Sequence, residues 1–290
     1  MLDMPHKDPR GHVEFLQASE LNSASYTFGD LSPGLRAFEL VGTPSCDSTL
    51  LVHGSPLWQF HEDVVFRSDV EILILAGDLM INNTALRRGD YIFIKAGEKV
   101  SDFRTHHGFE LFWMSNGPND WIIDDGAVAS SEATINPVNA IDMPWMPSPS
   151  YEGRPAEEAD PALGVKILRQ DPETTAYTLM TRHQPGWIDR RLEAHDTWEE
   201  LFLLQGDYLM GTTGMINGGA YIFRPPTRPH GPQATHMGAV WFCRGEKEID
   251  FQYSNIDWAQ GQVEEYFKYM SEQKREIAAP WGDWWGGIGL

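Results

Sequence analysis

Three side chains able to share a metal ion stand close in the chain: His195, Glu199 four residues later, and His230 beyond a strand rich in Gly and Pro. Neutral imidazole combined with carboxylate suits Fe(II), Mn(II), Ni(II), Cu(II) or Zn(II), and two imidazoles with one carboxylate leave positions open for water, oxygen or substrate. His195 or His230 alone would read as a hydrogen-bonded core histidine, but together with Glu199 at this spacing they read as ligands. Glu193 either supplies a fourth donor, faces solvent, or serves as a base. Glu200 competes with Glu199. Adjacent side chains on a strand point to opposite faces, so only one of the two can reach His195 and His230. His183 precedes the set on a strand and is a second catalytic candidate beside Glu193, with a structural role as its alternative. Arg224 and Tyr208 are candidate pocket groups on the same terms. The expectation is one divalent transition metal per chain, Fe(II) foremost, with Zn(II) or Mn(II) as alternatives.

The elements that must position these residues come from a duplication. Val70-Glu-Ile-Leu-Ile-Leu-Ala-Gly77 matches Glu199-Glu-Leu-Phe-Leu-Leu-Gln-Gly206, Gly89-Asp-Tyr-Ile-Phe93 matches Gly219-Ala-Tyr-Ile-Phe223, and His106-His-Gly108 matches His236-Met-Gly238, at offsets of 129, 130 and 130 residues. His53 and His183 also stand 130 apart. Each copy consists of short runs of Ile, Leu, Phe, Tyr and Trp interrupted by Gly, Pro and Asn, the pattern of a β-sandwich or barrel. The continuous apolar run Ile72 to Leu75 suits a strand buried on both faces. Gly77 and Gly206 are expected where the strand turns, and Gly89 and Gly219 where the next one opens. In the first copy Phe66, Val70 and Val100 occupy the places of His195, Glu199 and His230, so no metal is expected there. His53, His61, His106 and His107 match no ligand spacing. Glu71 is kept opposite Glu200, which favours a structural role for Glu200 and the ligand role for Glu199. His236 repeats His106 of the metal-free copy, which points to turn formation or packing.

The stretch from Glu193 to Pro232 resembles the two signature motifs of the cupin superfamily: histidines, a Glu, six residues, a Gly, then a Gly…Pro…His run. Glu193 stands where many cupins have the first of two histidines. The Glu199-Glu200 pair and Arg224-Pro-Pro-Thr-Arg-Pro-His-Gly-Pro232 are similar to a bicupin group named DUF4437 and, more distantly, to cupins of the anti-sigma-factor type. The resemblance covers most of residues 40–245. It implies an all-β fold of two tandem jelly-roll-like barrels: a degenerate, metal-free barrel and linker in residues 1–150, and a metal-bearing barrel in residues 151–256. Cupins catalyse many reactions, so the fold leaves the activity open.

Between the copies, Pro144-Trp-Met-Pro-Ser-Pro-Ser-Tyr151 is unfit for a helix or a central strand and reads as a surface linker. After them, Asp257 is fit to cap a helix carrying Val263, Tyr266, Phe267, Met270 and Ile277 at helical spacing. A Trp-rich tail ends the 290-residue sequence.

Composition narrows the partners. With 22 Lys+Arg against 42 Asp+Glu the net charge is −20, which repels nucleic acid and anionic membranes. Two distant cysteines, Cys46 and Cys243, form no disulfide framework, no apolar run reaches the length of about 18 residues that a membrane span needs, and the first residues are polar. A cytoplasmic chain, with a homodimer allowed, acting on a small molecule is therefore expected. The foremost function is a non-haem Fe(II) dioxygenase. A redox-neutral Zn(II) or Mn(II) lyase, isomerase or decarboxylase is the second reading, and a metal-bound sensing or binding module without turnover the third. Phe202, Leu204 and Trp241 near the site would suit an aromatic or medium-sized apolar substrate, strand parity deciding which of them face inward.

Overall fold

A computed structural model describes residues 8, 10–18, 21, 34–42, 46–124, 130–147, 162–211 and 214–255. All regular structure among them is β. The helix expected after Asp257 and the Trp-rich tail lie outside the described residues. No helix among the described residues is long and apolar enough to cross a membrane. Cys46 and Cys243 are not joined in a disulfide.

The chain forms two compact units, one of residues 9–11 and 20–141, the other of residues 1–8, 12–19 and 142–290. In the first, strands Asp90–Ile94, Asp69–Ile81, Phe109–Asn116, Ser48–Gly54 and Leu35–Gly42 lie side by side in that order. In the second, Ala220–Arg224, Glu199–Met210, Ala239–Gly245, Tyr177–His183 and Leu163–Gln170 repeat it. The shared order is that of a duplicated barrel. Gly77 and Gly206 do not end their strands, as their sequence position suggests. They lie within the long strands with φ of +77° and +95°, and a Cβ on either would stand 1.9 Å from the carbonyl oxygen of Gly108 or Gly238. Only glycine permits so close a crossing of two chains.

The units do not divide at residue 150. Met146–Pro147 pairs with Leu163–Gln170 as an edge strand of the second sheet, where a proline is tolerated. Val138–Asn139 pairs with Asp90–Ile94 of the first unit, whereas Val13–Gln17 pairs with Ala220–Arg224 of the second. The two added strands are equivalent. Val138 lies opposite Tyr91 as Leu16 lies opposite Tyr221, and the amides of Ala140 and Ala18 donate to the carbonyls of Gly89 and Gly219 at 2.8 and 2.9 Å. Each barrel is thus completed by the strand that precedes the other copy. Nothing in the apolar periodicity of Val13–Gln17 announces a partner some 200 residues away.

Candidate metal centre

The long strand Glu199–Met210 separates the two acidic neighbours. Glu199 and Leu201 point into a cavity of about 850 Å³ inside the second barrel, whereas Glu200 points to the opposite face. There Tyr221 Oη and Arg244 Nη1 donate to the Glu200 carboxylate at 2.5 and 2.6 Å. Glu71 of the first barrel has the same arrangement, accepting from Tyr91 Oη at 2.5 Å and from Asn116 at 3.2 Å. Glu200 is therefore a duplicated structural acid. Parity also decides which of the three expected neighbours are walls. Trp241 lines the cavity together with Leu201, but Phe202 and Leu204 do not.

Glu193, on strand Arg191–Ala194, and His230 exchange two backbone hydrogen bonds of 2.9 Å each. This double bridge fixes the two side chains against each other. It needs the chain to pass closely at Gly231, where a Cβ would lie 2.6 Å from the Arg191 carbonyl oxygen and φ is +98°. The carbonyl of His195 accepts from Thr227 N at 2.6 Å, tying the third residue to the same loop.

One donor atom each from Glu193, His195 and His230 lies within 4.8 Å of the other two. His230 Nε2 is 3.0 Å from Glu193 Oε1, and Glu199 Oε2 is 3.9 Å from His195 Nε2 and 3.7 Å from His230 Nε2. Ligands about 2.0–2.2 Å from a common ion are separated by roughly 3–3.5 Å, so Glu193, His195 and His230 are grouped for one metal, with Glu199 beside the two imidazoles as a further donor. His195 supplies the test of fit. Both of its ring nitrogens are buried and neither has a hydrogen-bond partner among the described residues. An imidazole left so costs about 1–3 kcal/mol, whereas ligation satisfies one nitrogen outright. His230 Nδ1 lies 3.1 Å from the Arg228 carbonyl oxygen, a contact in which Nδ1–H donates and the Nε2 lone pair faces the other donors, as a metal ligand requires.

The acids are held from behind. Gln233 donates to Glu193 Oε1 through its amide and accepts from Tyr208 Oη at 2.6 Å. Burial works against the charge on Glu193, but the neighbouring His230 and His195 and the Gln233 amide outweigh it and hold the carboxyl down to about 2. Arg224, 2 % exposed, reaches Glu199 Oε2 at 3.5 Å and Glu14 Oε1 of the N-terminal strand at 3.1 Å. Burial, seconded by the Glu199 charge, pushes the Cys243 thiol on the cavity wall far up, so it stays protonated and is no thiolate ligand. His183 also lines the cavity and packs on Trp187 and Tyr208, with centroids 4.3 and 5.3 Å apart. Gln233 and Glu14 escaped the sequence reading. Gln233 lay in view three residues after His230, but Glu14 carries no local signal.

The first barrel holds no equivalent. Phe66, Val70 and Val100 are at most 2 % exposed in its core, and Ile94 takes the place of Arg224. Phe66 meets Trp113 edge-on at 5.4 Å, in the space the second barrel leaves open. Among the described residues the first unit has no trio of donors within metal-sharing distance. Its His106 and His107 amides instead clamp Asp78 at 3.0 Å each, as His236 and Met237 clamp Asp207 at 3.0 and 2.7 Å. The turn reading of His106 and His236 follows from these bonds.

The sequence matches the family described as Domain of unknown function (DUF4437) over residues 14–252. Among curated proteins none matches. Among solved structures, a Nostoc punctiforme protein described as "a putative dioxygenase" superposes with a TM-score of 0.71 at 18 % identity, over 86 % of this chain and 88 % of its own. The oxalate decarboxylase of Lactobacillus farciminis, solved as a formate complex, gives 0.54 at 12 % identity over 92 % and 94 %. That of Bacillus subtilis gives 0.50 at 10 % over 96 % and 88 %.

Proposed function

The chain belongs to the DUF4437 family and is a bicupin, and from this premise we propose that its second barrel is the active site of a metal-dependent enzyme acting on a small organic molecule, with non-haem Fe(II) dioxygenase chemistry as the leading class. The observation that carries the reading is His195: a buried imidazole with both nitrogens unpartnered, facing three further donors at the wall of a cavity large enough for a substrate. Two imidazoles with carboxylates suit Fe(II), which would supply Lewis acidity and oxygen chemistry at its open positions. The protein's own part is positioning. The backbone bridge sets Glu193 against His230, Gln233 and Tyr208 orient the Glu193 carboxylate, and Arg224 steadies Glu199. Groups so placed keep their geometry while substrate binds, which is worth more to catalysis than any added contact.

A redox-neutral lyase, isomerase or decarboxylase using Zn(II) or Mn(II) is the second reading. It is favoured by Glu193, a carboxylate on the cavity wall that is left to act as a base if His195, Glu199 and His230 hold the ion. Protein purified without a metal-affinity tag, assayed for metal content and then for oxygen uptake against candidate substrates, separates the two. The dioxygenase reading expects about one iron per chain, oxygen consumption with the iron form, and none with zinc, which has no redox chemistry. Equal turnover of the zinc form without oxygen would sink it in favour of the second.

A further inference from the structure

Beyond the metal, the cavity has a composition of its own. Trp187, Tyr208 and Trp241 form one aromatic cluster with His183: Trp187 stacks on Tyr208 at 6.2 Å and 25°, and Trp241 meets Tyr208 edge-on at 5.0 Å. A second cluster abuts the ligands directly. Phe251 stands edge-on to His195 at 4.9 Å and is itself stacked on Tyr253 at 5.8 Å and 9°. All six side chains line the same cavity. Tyr208 is two hydrogen bonds from Glu193 through Gln233, so the first cluster also reaches the donor set.

Two of the arginines that line the cavity are paired with carboxylates. Arg224 is committed to Glu199 and Glu14, and Arg191 is paired with Asp189 at 2.5 Å and lies over the Tyr253 ring at 3.7 Å. Asp189, Glu248 and Asp250 add negative charge to the lining, on a chain whose net charge is −20. Arg190 lines the cavity as well, so the choice between ligands falls to size and ring contacts rather than to charge. A volume of about 850 Å³ falls in the range of about 300–1,000 Å³ typical for drug-sized ligands, far beyond what a two-carbon acid fills.

From these features, and resting on the metal reading above, we infer that the site takes a planar aromatic molecule bearing two adjacent oxygen donors, and discriminates against small dicarboxylates such as oxalate. The oxygens face Glu193, His195, Glu199 and His230, and the ring lies among Trp187, Tyr208, Trp241 and Phe251. Ring faces and edges on both clusters offer stacked and edge-on contacts that a small acid cannot use.

The experiment uses the full chain loaded with Zn(II), which binds without oxidising the probe. Elemental analysis after desalting first establishes the zinc content. 4-Nitrocatechol is then titrated by visible absorbance and calorimetry, with oxalate titrated in parallel. The expected result is nitrocatechol bound as the catecholate at least about tenfold tighter than oxalate, with zinc retained. Trp187→Ala should weaken nitrocatechol about tenfold, the loss of one aromatic partner plus its buried area, and leave oxalate unchanged. Leu179→Trp, which adds bulk to the same lining, should exclude nitrocatechol while zinc content and oxalate binding persist. One zinc per chain with oxalate bound as tightly as nitrocatechol, or nitrocatechol affinity indifferent to both substitutions, overturns the ligand class and leaves the metal reading intact. Failure to take up zinc, or loss of zinc in His195→Ala no greater than in His106→Ala, overturns the metal reading and this inference with it.

Discussion

Where the second barrel has His195, Glu199, Arg224 and His230 around a cavity, the first has Phe66, Val70, Ile94 and Val100 packed into a core with Trp113 in place of Cys243. The backbones agree to the level of a shared strand order, a glycine crossing and an Asp-clamped turn. Burying four polar donors is costly unless something answers them, and burying Phe and Val is favourable by itself. The two barrels are alternative solutions for one interior: the first is packed full, and the second keeps its polar donors around an open cavity.

The largest expected effect tests the chemistry of the second barrel. His195→Ala or His230→Ala should bring metal content from about one equivalent per chain to near zero, whereas His106→Ala should leave it unchanged. Two equivalents in the intact protein, read by elemental analysis, would break the contrast between the barrels. Glu199→Gln should likewise lose metal, and Glu200→Gln should keep it.

Glu200→Gln should instead cost about 3–5 kcal/mol of stability in chemical denaturation, because it removes the buried carboxylate that the Arg244 guanidinium contacts at 2.6 Å. Next comes the acid limb of the metal-free protein. The Glu193 carboxyl is depressed from 4.5 to about 2 in the folded state. A depressed acid stabilises fully above its unfolded value, and that stability is lost as pH falls from about 4.5 through about 2. The contribution should be up to about 3 kcal/mol, and Glu193→Gln should remove this limb from the pH–stability profile. A profile unchanged by the substitution would show that the surrounding histidines do not hold the charge. The smallest effect belongs to the first barrel. Glu71→Gln, which alters a carboxylate that accepts from Tyr91 and Asn116, should cost about 1–2 kcal/mol. Equal losses at 71 and 200 would erase the distinction between the duplicated acids.

The legible part of this molecule was whatever repeats or alternates. The offset of about 130 residues exposed the duplication, and the pairing of Glu71 with Glu200 gave the parity that turns Glu199 inward. Which of Phe202, Leu204 and Trp241 face inward stayed open because a hydrophobic residue on a strand buried on both faces carries no mark of which face it serves. Gly77 and Gly206 were read as turns because a glycine signals φ freedom and not its use, which here is a crossing inside a continuous strand. Gln233 and Glu14 act on the donors through contacts 40 and 210 residues long. Such contacts follow from topology, which pattern reading along the chain does not supply.

The exchange of leading strands has a consequence in time. Val13–Gln17 is synthesised early, yet its partner Ala220–Arg224 appears some 200 residues later, and Glu14 must wait as long for Arg224. The first barrel can close once residue 139 has emerged, while the second stays open at one edge until its far strands are made. An unpaired edge held through most of translation is exposed to wrong partners, including the same strand of another nascent chain. A gene cut ahead of Val138 would therefore give two halves that each carry the other's missing strand, whereas a cut after residue 141 would leave only the second half short of one.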